Sequence, residues 1–180
     1  MVETITAEAL RDMIDADEDF VLFDTRSPES FEDWHIAGAK NVEYSGSNDE
    51  LVGEFDEDAI DADDTVVTIC ATGRSANGFA NYLEDEGYVD EVKTVDNGME
   101  AWSMVYDIVP VATENDDLVI VQLQRRSKGC LGYLVGSKRA GEAALVDVTR
   151  ATDEFLEAAS ERGLEVTHVL DTHIHADHIS

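Results

Sequence analysis

The stretch VVTICATGRSANGFANYLEDEG, residues 66–87, decides the fold. Its first part, ending at Cys70, is a short apolar run with the β-branched content of a buried strand. From Ala76 to Glu86 the period changes. Ala76, Phe79, Ala80 and Leu83 share one helical face, and Gly87 supplies the stop. Between strand and helix lie Ala71, Thr72, Gly73, Arg74 and Ser75. FVLFD at 20–24 repeats the strand design. Thr6 ahead of AEALRDMI caps a first helix with Leu10, Met13 and Ile14 at helical spacing. A strand near Val92–Val95 leads to NGMEAW, residues 97–102, a turn and short helix that buries Trp102. Strand followed by helix, more than once, predicts a parallel α/β sheet flanked by helices over residues 1–108.

A cysteine at the end of a strand and the start of a helix is well placed for chemistry. Backbone N–H groups of a tight loop curl toward the sulfur, and a helix N-terminus together with Arg74 favours the thiolate. Gly73 permits the backbone bend such a cradle needs. A lone cysteine there also reads as a small buried hydrophobe, so its neighbours have to decide.

The neighbours are informative. The segment DTRSPESFEDWHIAGAKNV, residues 24–42, resembles the signature of rhodanese-like sulfurtransferases at Asp24, Arg26, His35, Ile36, Gly38 and Ala39. NGMEAW resembles the closing motif of that family at Gly98, Ala101 and Trp102. The resemblance implies that Cys70 carries sulfur as a persulfide, with residues 71–75 as the substrate-binding loop. A sulfane donor such as thiosulfate and a small thiol acceptor are implied, and no cofactor. Asp24, Arg26 and His35 take structural roles. Position 76 is Ala, so the Cys-x5-Arg arrangement of related phosphatases is absent. Many family members carry Arg at the sixth loop position, where this chain has Ser75 preceded by Arg74.

Pro110 and the polar run Thr113–Asp117 predict a linker over residues 109–117. Beyond it LVIVQLQ, CLGYLVG and AALVDV are strand-like runs separated by turn residues, which predicts antiparallel pairing. Cys130, at the head of the second run, is expected to be a core thiol. A helix over 152–162 and a strand in VTHVLD lead to THIHADHIS, residues 172–180.

That last segment gathers His173, His175, Asp177 and His178, donors that suit one or two metal ions. It resembles the metal-binding motif of the metallo-beta-lactamase superfamily. Residues 121–136 and 141–178 are similar to the amino-terminal part of persulfide dioxygenases of that superfamily, which use a mononuclear iron; glyoxalase II shares the fold and uses two metals. The resemblance implies iron or zinc at this cluster in a longer protein, and a partial αββα segment over residues 118–180. The chain is thus expected to be a truncated rhodanese–dioxygenase fusion. Two other readings stay open: a sulfur-relay or docking module that loads sulfur without free turnover, and a metal-dependent hydrolase.

The charge balance narrows the partners. With 41 acidic against 12 basic residues and a net charge of −29, the chain lacks the basic patch that nucleic acid or an anionic membrane requires. No run approaches the roughly 20 apolar residues of a membrane span, and the amino terminus lacks a signal-peptide pattern, so a cytoplasmic location is expected. Oligomeric state is not legible. Acidic residues this abundant, with lysine scarce, point to a halophilic and specifically haloarchaeal source, where screening shortens self-repulsion to about 3 Å at 1 M salt. Thermal unfolding in low and in molar KCl checks this. The expected outcome is marked destabilisation as salt is removed, and equal midpoints would refute it.

Overall fold

The computed structural model describes residues 2–149 and 152–173. The chain divides into two compact units, residues 1–103 and 104–180.

The first unit runs β1 (Glu3–Ile5), α1 (Ala7–Asp15), β2 (Val21–Asp24), α2 (Pro28–Asp33), β3 (Lys40–Asn41), β4 (Tyr44–Ser45), β5 (Glu50–Leu51), β6 (Thr65–Ile69), α3 (Arg74–Glu86), β7 (Glu91–Val95) and α4 (Gly98–Trp102). A five-stranded parallel sheet has the order β1-β7-β6-β2-β3, and β4 and β5 pair as a separate antiparallel hairpin. The strand that ends at Cys70 is therefore central. Val66, Val67 and Ile69 of β6 are fully buried, which is why the run is apolar on both of its alternating faces. Its buried polar residue is put to use: Thr68 Oγ1 donates to the Ala76 carbonyl at 3.1 Å and ties the strand to the helix that follows.

Helix α3 lays Phe79, Ala80 and Leu83 against Phe23, Val42, Tyr44, Val66 and Val92. Phe79 meets Phe23 and Phe55 edge to face, with ring centres 5.6 and 5.4 Å apart. Thr6 caps α1, its hydroxyl accepting from Ala9 N at 3.1 Å. Two expectations shift here. Helix α3 begins at Arg74 rather than Ala76, because Gly73 turns the backbone straight into the helix from the left-handed region. The short pieces α2, β1, β3 and the β4–β5 hairpin are too brief to show a period in the sequence.

The second unit is a sheet of order β12-β11-β10-β9-β8, comprising β8 (Tyr106–Val111), β9 (Leu118–Arg125), β10 (Leu131–Ser137), β11 (Glu142–Val146) and β12 (Glu165–Leu170), with α5 (Thr152–Ser160) before the last strand. The first four strands pair antiparallel, and β12 joins β11 in parallel. Phe155, Ala158 and Ala159 of α5 share a core with Val121, Leu123, Leu134 and Leu145.

The linker expected over 109–117 begins inside β8, and the compact units divide between Ser103 and Met104. Pro110 suits that strand because β8 is an edge and pairs only with β9. Cys130 lies in the turn before β10, part-exposed, where its carbonyl accepts from Arg125 N at 2.8 Å; the core-thiol expectation does not hold. No helix among the described residues is long and apolar enough to cross a membrane. The aromatic cluster sets a stability expectation: Phe79→Ala should cost about 3–5 kcal/mol, read from denaturant unfolding.

Candidate active site

Three turns meet at the carboxyl ends of β2, β6 and β7, the end of a parallel sheet where ligands are generally bound. The central turn carries Cys70, whose side chain is 3% exposed. Gly73 N donates to Cys70 Sγ at 3.0 Å. Gly73 has φ +97°, a conformation that L side chains rarely adopt, and it caps α3 with no side chain of its own. Asn77 fastens the cap, donating from both its backbone and Nδ2 to the Gly73 carbonyl.

The turn after β7 holds this loop from the other side. Met99 N donates to the Cys70 carbonyl at 2.7 Å, and Glu100 N to the Ala71 carbonyl at 3.1 Å. The approach is so close that a Cβ on Gly98 would lie 2.0 Å from the Cys70 oxygen, and Gly98 also has φ +50°.

The turn after β2 supplies the third wall. Thr25 N donates to the Ile69 carbonyl at 2.8 Å, and the Thr25 and Ser75 hydroxyls are 2.8 Å apart. Asp24 is fully buried and paired with Arg26, which donates to the Trp34 carbonyl at 2.6 Å and lies over that indole. The charge of Arg26 is thus spent inside the fold. His35 stacks on Phe31 and bonds its carbonyl through Nδ1 at 2.8 Å, contacts that hold the turn.

These turns enclose a cleft of about 390 Å³ lined by Cys70, Ala71, Thr72, Arg74 and Ser75, joined by Thr25, Arg26, Ser27, Ser30, Glu43, Tyr44, Gly46 and Ser47. Arg74 is exposed on its rim and has no hydrogen-bond or ion-pair partner among the described residues. Ala71 and Thr72 are exposed and Gly73 is buried. Hydroxyls and one unpaired guanidinium around a sulfur make a small site suited to an oxyanion. Tyr44 donates to Asp49 Oδ1 at 3.2 Å; burial first, and then the Asp49 carboxylate, pushes its phenol up to about 12, so it stays a donor at ordinary pH.

The loop is legible in the sequence and its supports are not. Thr25, Gly46 and the contact that Gly98 makes are set by packing between segments, and no local pattern announces them.

In the second unit, Thr172 donates from its N and its hydroxyl to the Asp147 carboxylate, each at 2.8 Å, and its hydroxyl lies 2.8 Å from His173 Nδ1. Asp147, buried at the end of β11, anchors the start of the histidine segment and was not foreseen. His175, Asp177 and His178 lie outside the described residues. Among the described residues no three His, Cys, Asp or Glu side chains converge on a point that could hold a metal.

A parallel sheet with a glycine-cradled cysteine after its central strand defines the class, and the match to known families agrees: residues 6–104 fit the rhodanese-like domain, and the chain belongs to that family. Among curated proteins it is 33% identical over 90 residues to thiosulfate sulfurtransferase GlpE of Pseudoalteromonas translucida, covering 49% of this chain and 78% of that one. GlpE of Vibrio cholerae is 42% identical over 81 residues, covering 45% and 70%. Of solved structures, a rhodanese-like domain protein from Staphylococcus aureus aligns with a TM-score of 0.46 at 23% identity, over 56% of this chain and 91% of that one.

The Gly98 contact yields a prediction. Gly98→Ala adds a methyl where there is no room and fixes an L residue in left-handed backbone, costing at least about 1–2 kcal/mol. Thermal unfolding and the rate of Cys70 modification by a neutral alkylating reagent should both change, since the loop must move to admit the methyl.

Proposed function

We propose that the chain is a sulfurtransferase that carries sulfane sulfur as a persulfide on Cys70. One observation carries the reading: Cys70 Sγ accepts the Gly73 N–H at 3.0 Å at the head of α3, in a cleft whose rim bears the unpaired Arg74. The similarity to thiosulfate sulfurtransferases supports thiosulfate as donor.

The Cys70 thiolate attacks the outer sulfur of thiosulfate. A sulfur–sulfur bond to Cys70 forms as the sulfur–sulfur bond of thiosulfate breaks, and sulfite leaves with the bonding pair. Charge is conserved, since a monoanion and a dianion give a persulfide monoanion and sulfite dianion. Arg74 neutralises the sulfonate end of the donor, while the Gly73 N–H and the dipole of α3 stabilise negative sulfur before and after transfer. Thr25, Ser75 and the other hydroxyls offer hydrogen bonds to the oxyanion. A small thiolate acceptor then attacks the outer sulfur of the persulfide and restores Cys70.

On this reading the second unit is a persulfide dioxygenase-like partner domain fused to the first in a halophilic, cytoplasmic protein. Tethering would raise the local concentration of the persulfide that passes between the two. His173, His175, Asp177 and His178 would supply an incomplete share of the ligands for iron or zinc there. Only His173 is among the described residues, so the sulfur-transfer step above is derived from the first unit alone.

Intact-mass analysis after incubation with thiosulfate in high salt tests the proposal. The expected result is a gain of one sulfur atom in the wild type, reversed by dithiothreitol and absent in Cys70→Ser. Folded protein that takes no sulfur from thiosulfate or from a persulfide donor would overturn it. Loading without multiple turnover to cyanide or a free thiol would instead mark a relay module.

A further inference from the structure

We propose that Gly46 of the β4–β5 hairpin is a positioning residue that holds Arg74 toward Cys70 and so sets the preference for anionic sulfur donors. The inference rests on the sulfurtransferase reading.

Arg74 and Gly78 are four residues apart on α3 and share a face, one helical turn apart. The hairpin lies on that face through two contacts that exclude side chains. A Cβ on Gly78 would lie 2.7 Å from Tyr44 Cε1 and 2.8 Å from Asp49 Oδ1. A Cβ on Gly46 would lie 2.9 Å from Arg74 Cγ, 3.2 Å from its Cδ and 3.0 Å from Ser75 N. The Tyr44–Asp49 hydrogen bond fixes the hairpin over the second turn of the helix, and the bare backbone of Gly46 presses the aliphatic stem of Arg74 over the first.

This arrangement answers a physical difficulty. A long exposed cation with no bonded partner loses rotamer freedom when it meets a ligand, and that loss weakens capture. Holding Cγ and Cδ against the hairpin removes part of the freedom in advance and leaves only the guanidinium to settle. The neighbouring Arg26 cannot substitute, because its charge is bound by Asp24. Gly46 does not have left-handed backbone, so alanine there leaves the main-chain conformation allowed and adds only the obstructing methyl.

Alkylation of Cys70 reads the placement of Arg74 without sulfur chemistry. The Cys70 thiolate displaces iodide from iodoacetate, an anion, or from iodoacetamide, its neutral twin, and peptide mass mapping assigns the product to Cys70. In Gly46→Ala the iodoacetate rate is expected to fall about fivefold, the size of one exposed charge interaction, while the iodoacetamide rate stays within about twofold. Half-saturating thiosulfate should rise by a similar factor with kcat unchanged. Arg74→Gln should lower the iodoacetate rate by a similar factor and spare the iodoacetamide rate, and combining it with Gly46→Ala should add little to that reagent ratio, as for two residues acting through one interaction. Tyr44→Phe, which deletes only the hydroxyl that clasps Asp49, should shift the reagent ratio in the same direction. An unchanged ratio in the glycine and tyrosine variants, or equal loss with both reagents, would overturn the proposal. Wild-type protein that takes no sulfur removes the sulfurtransferase reading separately, because the reagent ratio is measured without any donor.

Discussion

The hydrogen bond from Met99 N to the Cys70 carbonyl holds the centre of the first unit together. It joins the turn after β7 to the turn after β6 across a gap too narrow for any side chain. With the Cys70 carbonyl held, the chain can bend back at Gly73 and send that residue's N–H to the sulfur rather than to solvent. Thr25, bonded to the Ile69 carbonyl, gives the β2 turn the same anchorage one residue earlier. Three turns from distant parts of the sequence thus converge through main-chain contacts, and the parallel sheet keeps their strand ends in line.

Electrostatics then separates two arginines that look alike in the sequence. Arg26 is drawn inward to the buried Asp24 and the Trp34 carbonyl, where it stabilises the turn and contributes little field to the cleft. Arg74 stands at the first residue of a helix that has no acidic side chain in its first turn, and keeps its charge for the cleft rim. In a chain with 41 acidic residues the absence of an acid at that helix start departs from the usual preference for carboxylates there.

Much of this was legible because the long elements carry strong periods. The apolar run before Cys70 and the Ala76, Phe79, Ala80, Leu83 face of α3 identify a strand and helix without a structure, and the motif residues Asp24, His35 and Gly98 point to the same fold. Legibility failed where geometry replaces side-chain chemistry. The start of α3 lay hidden because Gly73 caps it by backbone conformation alone. The linker expected over 109–117 takes in the last three residues of β8, because proline usually breaks strands and only pairing on a single edge excuses it. The hairpin over Arg74 consists of two-residue strands whose placement depends on contacts with a helix nearly thirty residues later. Asp147 gave no signal because its partner, Thr172, comes from the far side of α5.

The cleft is shaped largely by atoms that are missing. Gly98, Gly46 and Gly78 each occupy a place where a hydrogen stands in for a side chain, Gly73 supplies the left-handed turn, and together they bring the thiol, its loop and its arginine into one small space. A conventional scan that trims side chains to alanine would find nothing to trim at these positions and would assign the site to Cys70 and Arg74 alone. Every missense change at such a glycine adds bulk, so sequence drift here can only move outward in size. Enlargement, residue by residue, is the mutational grammar in which this site can be read.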